Sequence, residues 1–270
     1  MSETIDLFTG MDRAETAIAR LREFCPPEGF YVAFSGGKDS IVLLDLVRRS
    51  GVKHDAHYNI TGVDPPELVQ FIHRHYPDVE RHRPEKTMWK LIVEKMMPPT
   101  RIVRYCCEWL KERGGEGRTV ATGVRWAESV KRSRRRLYEV CTRSKTKKYF
   151  HPIIDWTDAE VWGYIREHSL QYCVLYDEGF TRLGCVGCPM AGDKRIAEFR
   201  RWPQLERAYR RAFAAAAAAN RLRLGNKYGL PGTKHERKLR WEDGDAMFDW
   251  WMKEKRAAKD APGQGCFFFE

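Results

Sequence analysis

The segment Ser35-Gly36-Gly37-Lys38-Asp39-Ser40 follows the apolar run Phe30-Tyr31-Val32-Ala33-Phe34 and precedes a helical stretch, Ile41 to Arg49. That order of residue types suits a phosphate. Two adjacent glycines let the backbone turn tightly and present its N–H groups, and the following helix sets its positive dipole end against the loop. Lys38 adds a full positive charge, Ser35 and Ser40 add hydroxyl donors, and Asp39 is suited to hold a magnesium ion or to orient the loop. A Walker loop spaces its glycines differently, which disfavours a kinase or motor ATPase.

A second chemistry lies in the cysteines. Cys106-Cys107 and Cys185-x-x-Cys188 supply two pairs of thiols, the number that a [4Fe–4S] cluster requires and that zinc also accepts. Side chains of adjacent cysteines diverge from successive backbone units, and the corners of an iron–sulfur cube are further apart than the ligands of one zinc ion, so the pair favours the cluster. Cys25, Cys141 and Cys173 lack paired spacing and are expected to pack as small hydrophobes. Cys266, approached through Pro262-Gly263-Gln264-Gly265, is the one terminal thiol able to swing toward a site. A third feature is basic: Lys131-Arg132-Ser133-Arg134-Arg135-Arg136, then Arg143, Lys145, Lys147 and Lys148, with Tyr138 and Tyr149 as candidate stacking surfaces.

These groups need a frame. Ala14, Ala17, Ile18, Leu21 and Phe24 recur at helical spacing between Asp12 and Phe24, and Pro26-Pro27 ends that helix. Phe30–Phe34 reads as a buried parallel strand, His54 to Ile60 as a second, and Thr119 to Val124 as a later one ending at Gly123. Pro65-Pro66-Glu67 opens a helix carrying Leu68, Phe71 and Ile72. Strand–helix alternation predicts an α/β fold, a doubly wound, mostly parallel sheet with helices on both faces. Thr157 with Glu160 is a helix-start pair, and Gln204 to Arg223, with six consecutive alanines, is helical by propensity. The expected organisation is an N-terminal helix over 1–27, a nucleotide-binding domain over 28–155, a smaller helical region containing the Cys-x-x-Cys over 156–256, and a mobile tail over 257–270.

Composition narrows the setting. The apolar runs fall short of the ~20 residues that cross a bilayer, so no membrane association is expected. The acidic start lacks the pattern of a secretory signal, and eight cysteines without one suit a reducing, cytoplasmic location. A net charge of +11 favours anionic partners: nucleotides, sulfated nucleotides or nucleic acid.

Phe34 to Ser40 resembles the pyrophosphate loop of the ATP pyrophosphatase (PP-loop, adenine nucleotide alpha hydrolase-like) superfamily, and the chain resembles its phosphoadenosine-phosphosulfate-reductase-like branch. Asn59-Ile60-Thr61-Gly62-Val63-Asp64-Pro65-Pro66-Glu67 is similar to the branch's Thr-Gly segment followed by Pro-Glu. Thr122-Gly123-Val124-Arg125-Trp126-Ala127-Glu128-Ser129 looks like its Gly-x-Arg-x-x-Glu-Ser segment, and Trp156 to Trp162 is also similar. The four paired cysteines resemble the cluster-binding pattern of adenylyl-sulfate reductases.

The resemblance implies an adenine nucleotide, ATP with Mg²⁺, bound by Ser35, Gly36, Gly37, Lys38, Asp39, Ser40, Gly123 and Arg125. It implies Lys38, Asp39 and Arg125 as catalytic residues and a [4Fe–4S] cluster on Cys106, Cys107, Cys185 and Cys188. The first reading is an adenylating enzyme that releases pyrophosphate and then transfers sulfur, with DNA or tRNA as candidate acceptor and a cysteine desulfurase as candidate donor. The second is a phosphoadenosine phosphosulfate or adenylyl-sulfate reductase that releases sulfite. Against it, Gly265-Cys266-Phe267-Phe268 departs from the Glu-Cys-Gly-Leu/Ile-His tail of those reductases, whose loops commonly lose the lysine kept here as Lys38. The third is a nucleotide- or nucleic-acid-binding module without catalysis.

Overall fold

A computed structural model of the chain describes residues 12–142, 144, 146–228 and 240–253, excepting the side chains of 225–228. Arg143 and Lys145 of the basic segment, Cys266 and the expected tail over 257–270 lie outside the described residues. In chain order the first elements are α1 (Arg13–Glu23), β1 (Phe30–Ala33), α2 (Lys38–Ser50), β2 (His54–Asn59), α3 (Pro66–His75), β3 (Glu80–His82), α4 (Met88–Lys95) and α5 (Tyr105–Leu110). They are followed by β4 (Thr119–Ala121), β5 (Tyr138–Val140), β6 (Lys148–Phe150), α6 (Asp158–Glu167), α7 (Lys194–Arg201), α8 (Pro203–Tyr228) and α9 (Gly244–Lys253).

Two compact units interleave along the chain. The first takes its described residues from Met1–Asn59, Pro66–His82 and Gly114–Leu183, the second from Ile60–Pro65, Arg83–Arg113 and Gly184–Glu270. The fold is α/β, as the strand–helix alternation predicts, and the first unit holds a six-stranded sheet in the order β3-β2-β1-β4-β6-β5. Every pairing is parallel except β5 with β6. β1 reads Phe-Tyr-Val-Ala without alternation because its first three residues are all buried, as in a central parallel strand covered on both faces. Strand order reverses between β1 and β4, the place where ligands sit beyond the carboxyl ends of open α/β sheets.

Helix α2 begins at Lys38, three residues earlier than the apolar spacing suggests, and its Ile41, Val42, Leu43, Leu44, Leu46 and Val47 are buried. Glycine 36, at φ +71°, is required twice over: its backbone is left-handed, and a Cβ there would meet Ile72 Cδ1 at 2.7 Å. Thr157 caps α6 as its spacing with Glu160 predicts, accepting from Glu160 N–H at 3.2 Å while Glu160 Oε2 accepts from Thr157 N–H at 2.6 Å. In the second unit α8 packs against α4 and α9. Its core is aromatic, with Trp251 centred 5.0 Å from Tyr209 and 5.1 Å from Phe213. Ala216 in the alanine run is fully buried, so part of that run serves close helix packing as well as helix propensity. Among the described residues no helix is long and apolar enough to cross a membrane.

Candidate functional site

In the first unit a cleft forms where the chain leaves β1 and β4. It is lined by Ser35, Gly37, Lys38, Asp39 and Ser40 from the first loop, and by Thr122, Gly123, Val124, Glu128 and Arg132 from the second. Tyr176 and Arg182 also line it. The two loops approach closely because Gly123 has no side chain: a Cβ there would stand 2.8 Å from the Asp39 carbonyl. Gly37 is the N-cap of α2 and makes no side-chain cap, leaving the first amides of the helix for other acceptors. Lys38 N–H donates to the Tyr176 hydroxyl at 2.9 Å. Ser40 is spent inside the loop, donating to Gly37 O at 2.8 Å and accepting from Ser35 N–H at 3.2 Å, while Ser35 is exposed.

Lys38 is buried. Its Nζ lies 3.3 Å from Asp39 Oδ2 and 3.3 Å from Asp158 Oδ1. Arg125, 1% exposed, donates from Nε to Asp39 Oδ1 at 2.7 Å, from Nη1 to Trp156 O at 3.0 Å and from Nη2 to Asp158 Oδ1 at 2.5 Å. Burial works against the Arg125 charge, but Asp39 and Asp158 outweigh it and its pKa is raised. Burial likewise pushes the Asp158 carboxyl up, while hydrogen bonding from Arg125 and the charges of Lys38 and Arg125 bring it below the ordinary aspartate value. The fork of Arg125 is directed to two carboxylates and a carbonyl beside the cleft. Both oxygens of Asp39 face cationic side chains, which favours its orienting role over metal ligation.

The basic segment divides. Arg132 pairs with Glu128, and Arg135 pairs with Glu139 at 2.8 Å and lies over the Tyr149 ring. Lys147 is buried with Nζ 2.5 Å from Gly114 O. Arg134 and Arg136 are exposed. Tyr138 packs with Phe24 and Phe150, and Trp126, 43% exposed, is the ring this stretch presents outward. Tyr176 and Arg182 carry no signal in the sequence; Trp126 and Asp158 fall inside segments that carry the family resemblance, but neither has a role assigned there, and Asp158 reads as the acid opening α6.

The four paired cysteines all fall in the second unit. Cys106 and Cys107 open α5; Cys185 and Cys188 bracket a turn in which Gly187, at φ +73°, leaves room for Phe199. Val186 N–H donates to Val63 O at 2.8 Å and Gly187 N–H to Glu198 Oε2 at 2.8 Å, fixing that turn. The charges of the second pair act on Cys106 of the first. Cys106 is pushed up by its hydrogen bond to Cys107, by burial and by the charges of Cys107, Cys185 and Cys188. Cys107 is brought down to about 5 by that same bond, against burial, with Arg104 and Lys111 adding to the effect. Cys185 is pushed up to about 12, chiefly by burial. Two cations flank the sulfurs: Arg104 donates to Cys107 Sγ at 3.1 Å, and Lys111 hydrogen-bonds Cys185. Four thiols beside two cations form a donor set suited to an anionic metal–thiolate centre. Cys173 is fully buried, as a small hydrophobe would be, and Cys25 and Cys141 are half-buried.

Comparison with known proteins agrees with this frame. The phosphoadenosine phosphosulfate reductase domain matches residues 29–191. An uncharacterized protein of Methanocaldococcus jannaschii is 29% identical over 225 residues, 76% of this chain and 46% of that protein, so the chain spans about half of that relative's length. The adenosine 5′-phosphosulfate reductase of Allochromatium vinosum is 28% identical over 196 residues, covering 66% of this chain and 75% of that enzyme. A crystal structure of phosphoadenylyl-sulfate reductase from Candida auris, a phosphate complex, aligns with TM-score 0.49 at 19% identity over 66% of this chain and 90% of that one. With the domain match extending over more than half of its length, the chain belongs to the phosphoadenosine phosphosulfate reductase domain family.

Proposed function

We propose that this chain is a cytoplasmic ATP pyrophosphatase that adenylates its substrate and then transfers sulfur, with nucleic acid as the acceptor class. The observation that carries the reading is Lys38: the first residue of α2, buried, its ammonium held 3.3 Å from both Asp39 and Asp158 at the amino end of the helix. A fixed cation beside helix-terminal amides is suited to the charge that develops on a departing pyrophosphate. Asp39 and Asp158 hold Lys38, and Arg125 holds both carboxylates. The exposed Arg182 adds charge at the cleft. Tyr176 takes the first helix amide and would yield it to a phosphate oxygen. Mg²⁺ would enter with the phosphates of ATP.

In the second unit Cys106, Cys107, Cys185 and Cys188 would hold a [4Fe–4S] cluster, with Arg104 and Lys111 offsetting its negative charge. When bound with a thiolate on each of its four irons, such a cluster would supply a redox and structural centre, and the sulfur itself would come from the donor. A cysteine desulfurase fits as the donor.

The second reading, sulfonucleotide reduction, is favoured by the identity with the Allochromatium reductase. One experiment separates the two. Anaerobic protein is incubated with ATP, Mg²⁺ and tRNA or duplex DNA, and separately with adenylyl sulfate and a thiol reductant. Pyrophosphate release without sulfite is expected, reduced by about 10²–10³-fold in Lys38→Met, which keeps the buried stem. Sulfite release from adenylyl sulfate would establish the reductase instead.

A further inference from the structure

Away from the cleft and the cysteines, the sheet register places a second set of ligand-bearing side chains together. In β2, Asp55 and His57 share one face of the sheet by two-residue alternation; in β3, Glu80 and His82 do the same. His57 is the partner of Glu80, and Asn59 the partner of His82, so both pairs face the same way. Tyr31 in β1 is the partner of Asp55 and stacks its ring on His57, centroids 3.9 Å apart and planes within 6°. The stacking holds the imidazole plane.

We propose that His57, Glu80 and His82 form a binding site for one divalent cation of the zinc class, with Asp55 orienting His57 from behind. His57 Nε2 hydrogen-bonds Asp55. Asp55 in turn accepts from Arg118 at 2.7 Å and 2.5 Å, which keeps it an anion and an acceptor. His57 therefore carries its proton on Nε2 and turns the Nδ1 lone pair the other way. There it meets His82 Nε2 at 2.7 Å and Glu80 Oε2 at 3.4 Å, and Glu80 Oε1 lies 3.7 Å from His82 Nε2. Two imidazole nitrogens and a carboxylate, the first imidazole fixed by a carboxylate on its far nitrogen, make the ligand and supporting set of a His₂Glu zinc site.

The distances suit entry of an ion. Ligands bonded at about 2.0–2.1 Å to one tetrahedral ion stand roughly 3.3 Å apart, so the two rings need to separate by about half an ångström. His82 lies on the edge strand, its side chain 37% exposed, and can make that shift; His57, 7% exposed, stays fixed. Glu80 is 65% exposed, which leaves a solvent route and an open fourth position. None of the three lines the nucleotide cleft. The ion's consequence is local, a clasp of β3 onto β2, a strand whose three residues offer few hydrogen bonds of their own.

The test uses the full chain as isolated, dialysed against Zn²⁺, and compares it with His82→Ala and Glu80→Gln. Both changes are at accessible side chains, and circular dichroism checks that the fold is kept. The parent is expected to bind one equivalent more than His82→Ala, with Glu80→Gln at least tenfold weaker. Any zinc on the cysteines is common to all three proteins and cancels in the difference. Co²⁺ in place of Zn²⁺ should give, in the same difference, visible bands of nitrogen and oxygen ligation without thiolate charge transfer. Equal stoichiometry and affinity in the three proteins, or a difference spectrum dominated by thiolate bands, would overturn the assignment.

Discussion

Arg125 Nε donates to Asp39 Oδ1 at 2.7 Å, and that bond ties the loop after β4 to the first turn of α2. The same guanidinium reaches Asp158, the first residue of α6, and the Trp156 carbonyl. Three segments around the cleft thus depend on one planar fork. Arg125→Met is expected to destabilise the chain by about 2–4 kcal/mol, less than the 3–5 of a fully buried pair because the Asp158 side chain is 71% exposed. Arg125→Lys should recover less than half, since an ammonium cannot serve three acceptors in that plane. Urea unfolding measures both; a loss below about 1 kcal/mol in Arg125→Met would deny Arg125 this role.

His151 gives the pH dependence. Burial, followed by the charges of Arg135 and Arg132, holds its pKa down to about 3. Nε2 faces Arg135 at 3.3 Å and so accepts, leaving the Nδ1 proton for Thr122 Oγ1 at 2.7 Å. The folded value lies below the unfolded one of about 6.5, so the folded state binds fewer protons between them. Stability from this group is therefore complete above about pH 6.5 and is lost as pH falls toward about 3, by up to about 1.4 kcal/mol per unit. Urea titrations at several pH values in that window should show a slope shallower by about one proton in His151→Gln. An unchanged slope would mean that His151 titrates normally in the fold.

Such pairings were beyond the reach of sequence patterns, for a physical reason. Periodicity reports burial, so β1 and α2 were legible from Phe30 to Val47, and the cap of α6 was legible because Thr157 and Glu160 satisfy each other locally. Glu80-Arg81-His82 and Lys148-Tyr149-Phe150 form strands through pairing with neighbours, and neither is long enough to show alternation. The loop residues and the four cysteines were readable from type and spacing. Arg104 and Lys111, which set the charge around those sulfurs, were not, because a basic residue near a cysteine has no distinguishing spacing. Lys147 reads in sequence as one more charge of a basic run, yet the fold buries it.

For the basic segment the structure selects the residues to change. Arg135 is committed to Glu139 and Tyr149, so replacing it would test folding along with binding. Exchanging only Arg134 and Arg136 for Ala should leave stability within about 0.5 kcal/mol. If nucleic acid lies on this face, the slope of log affinity against log salt should become shallower by about 1 per residue removed. Fluorescence anisotropy with labelled tRNA and duplex DNA at several salt concentrations reads the slope; equal slopes and affinities would make these arginines part of a solvated face only.

The metal prediction draws on both cysteine pairs. Cys106 and Cys107 lie on one helix and Cys185 and Cys188 in one turn, and the charges of Cys185 and Cys188 act on Cys106. Four half-buried thiols with Arg104 and Lys111 beside them are a donor set that an iron–sulfur cluster takes as thiolates. Anaerobic protein should therefore be brown, with iron and acid-labile sulfide in the proportion of one [4Fe–4S] cluster. Cys185→Ser and Cys188→Ser should lower both together, while Cys25→Ser and Cys173→Ala change neither, because Cys25 sits near the Lys53 carbonyl and Cys173 is enclosed in the core of the other unit. Loss of the cluster should also raise hydrogen exchange in the turn around Val186, whose amide is anchored on Val63, while the amides of β1 and β4 in the sheet stay protected. Stoichiometric zinc without sulfide would replace the cluster by a structural zinc site, and anaerobic protein with no metal would leave the four as ordinary thiols.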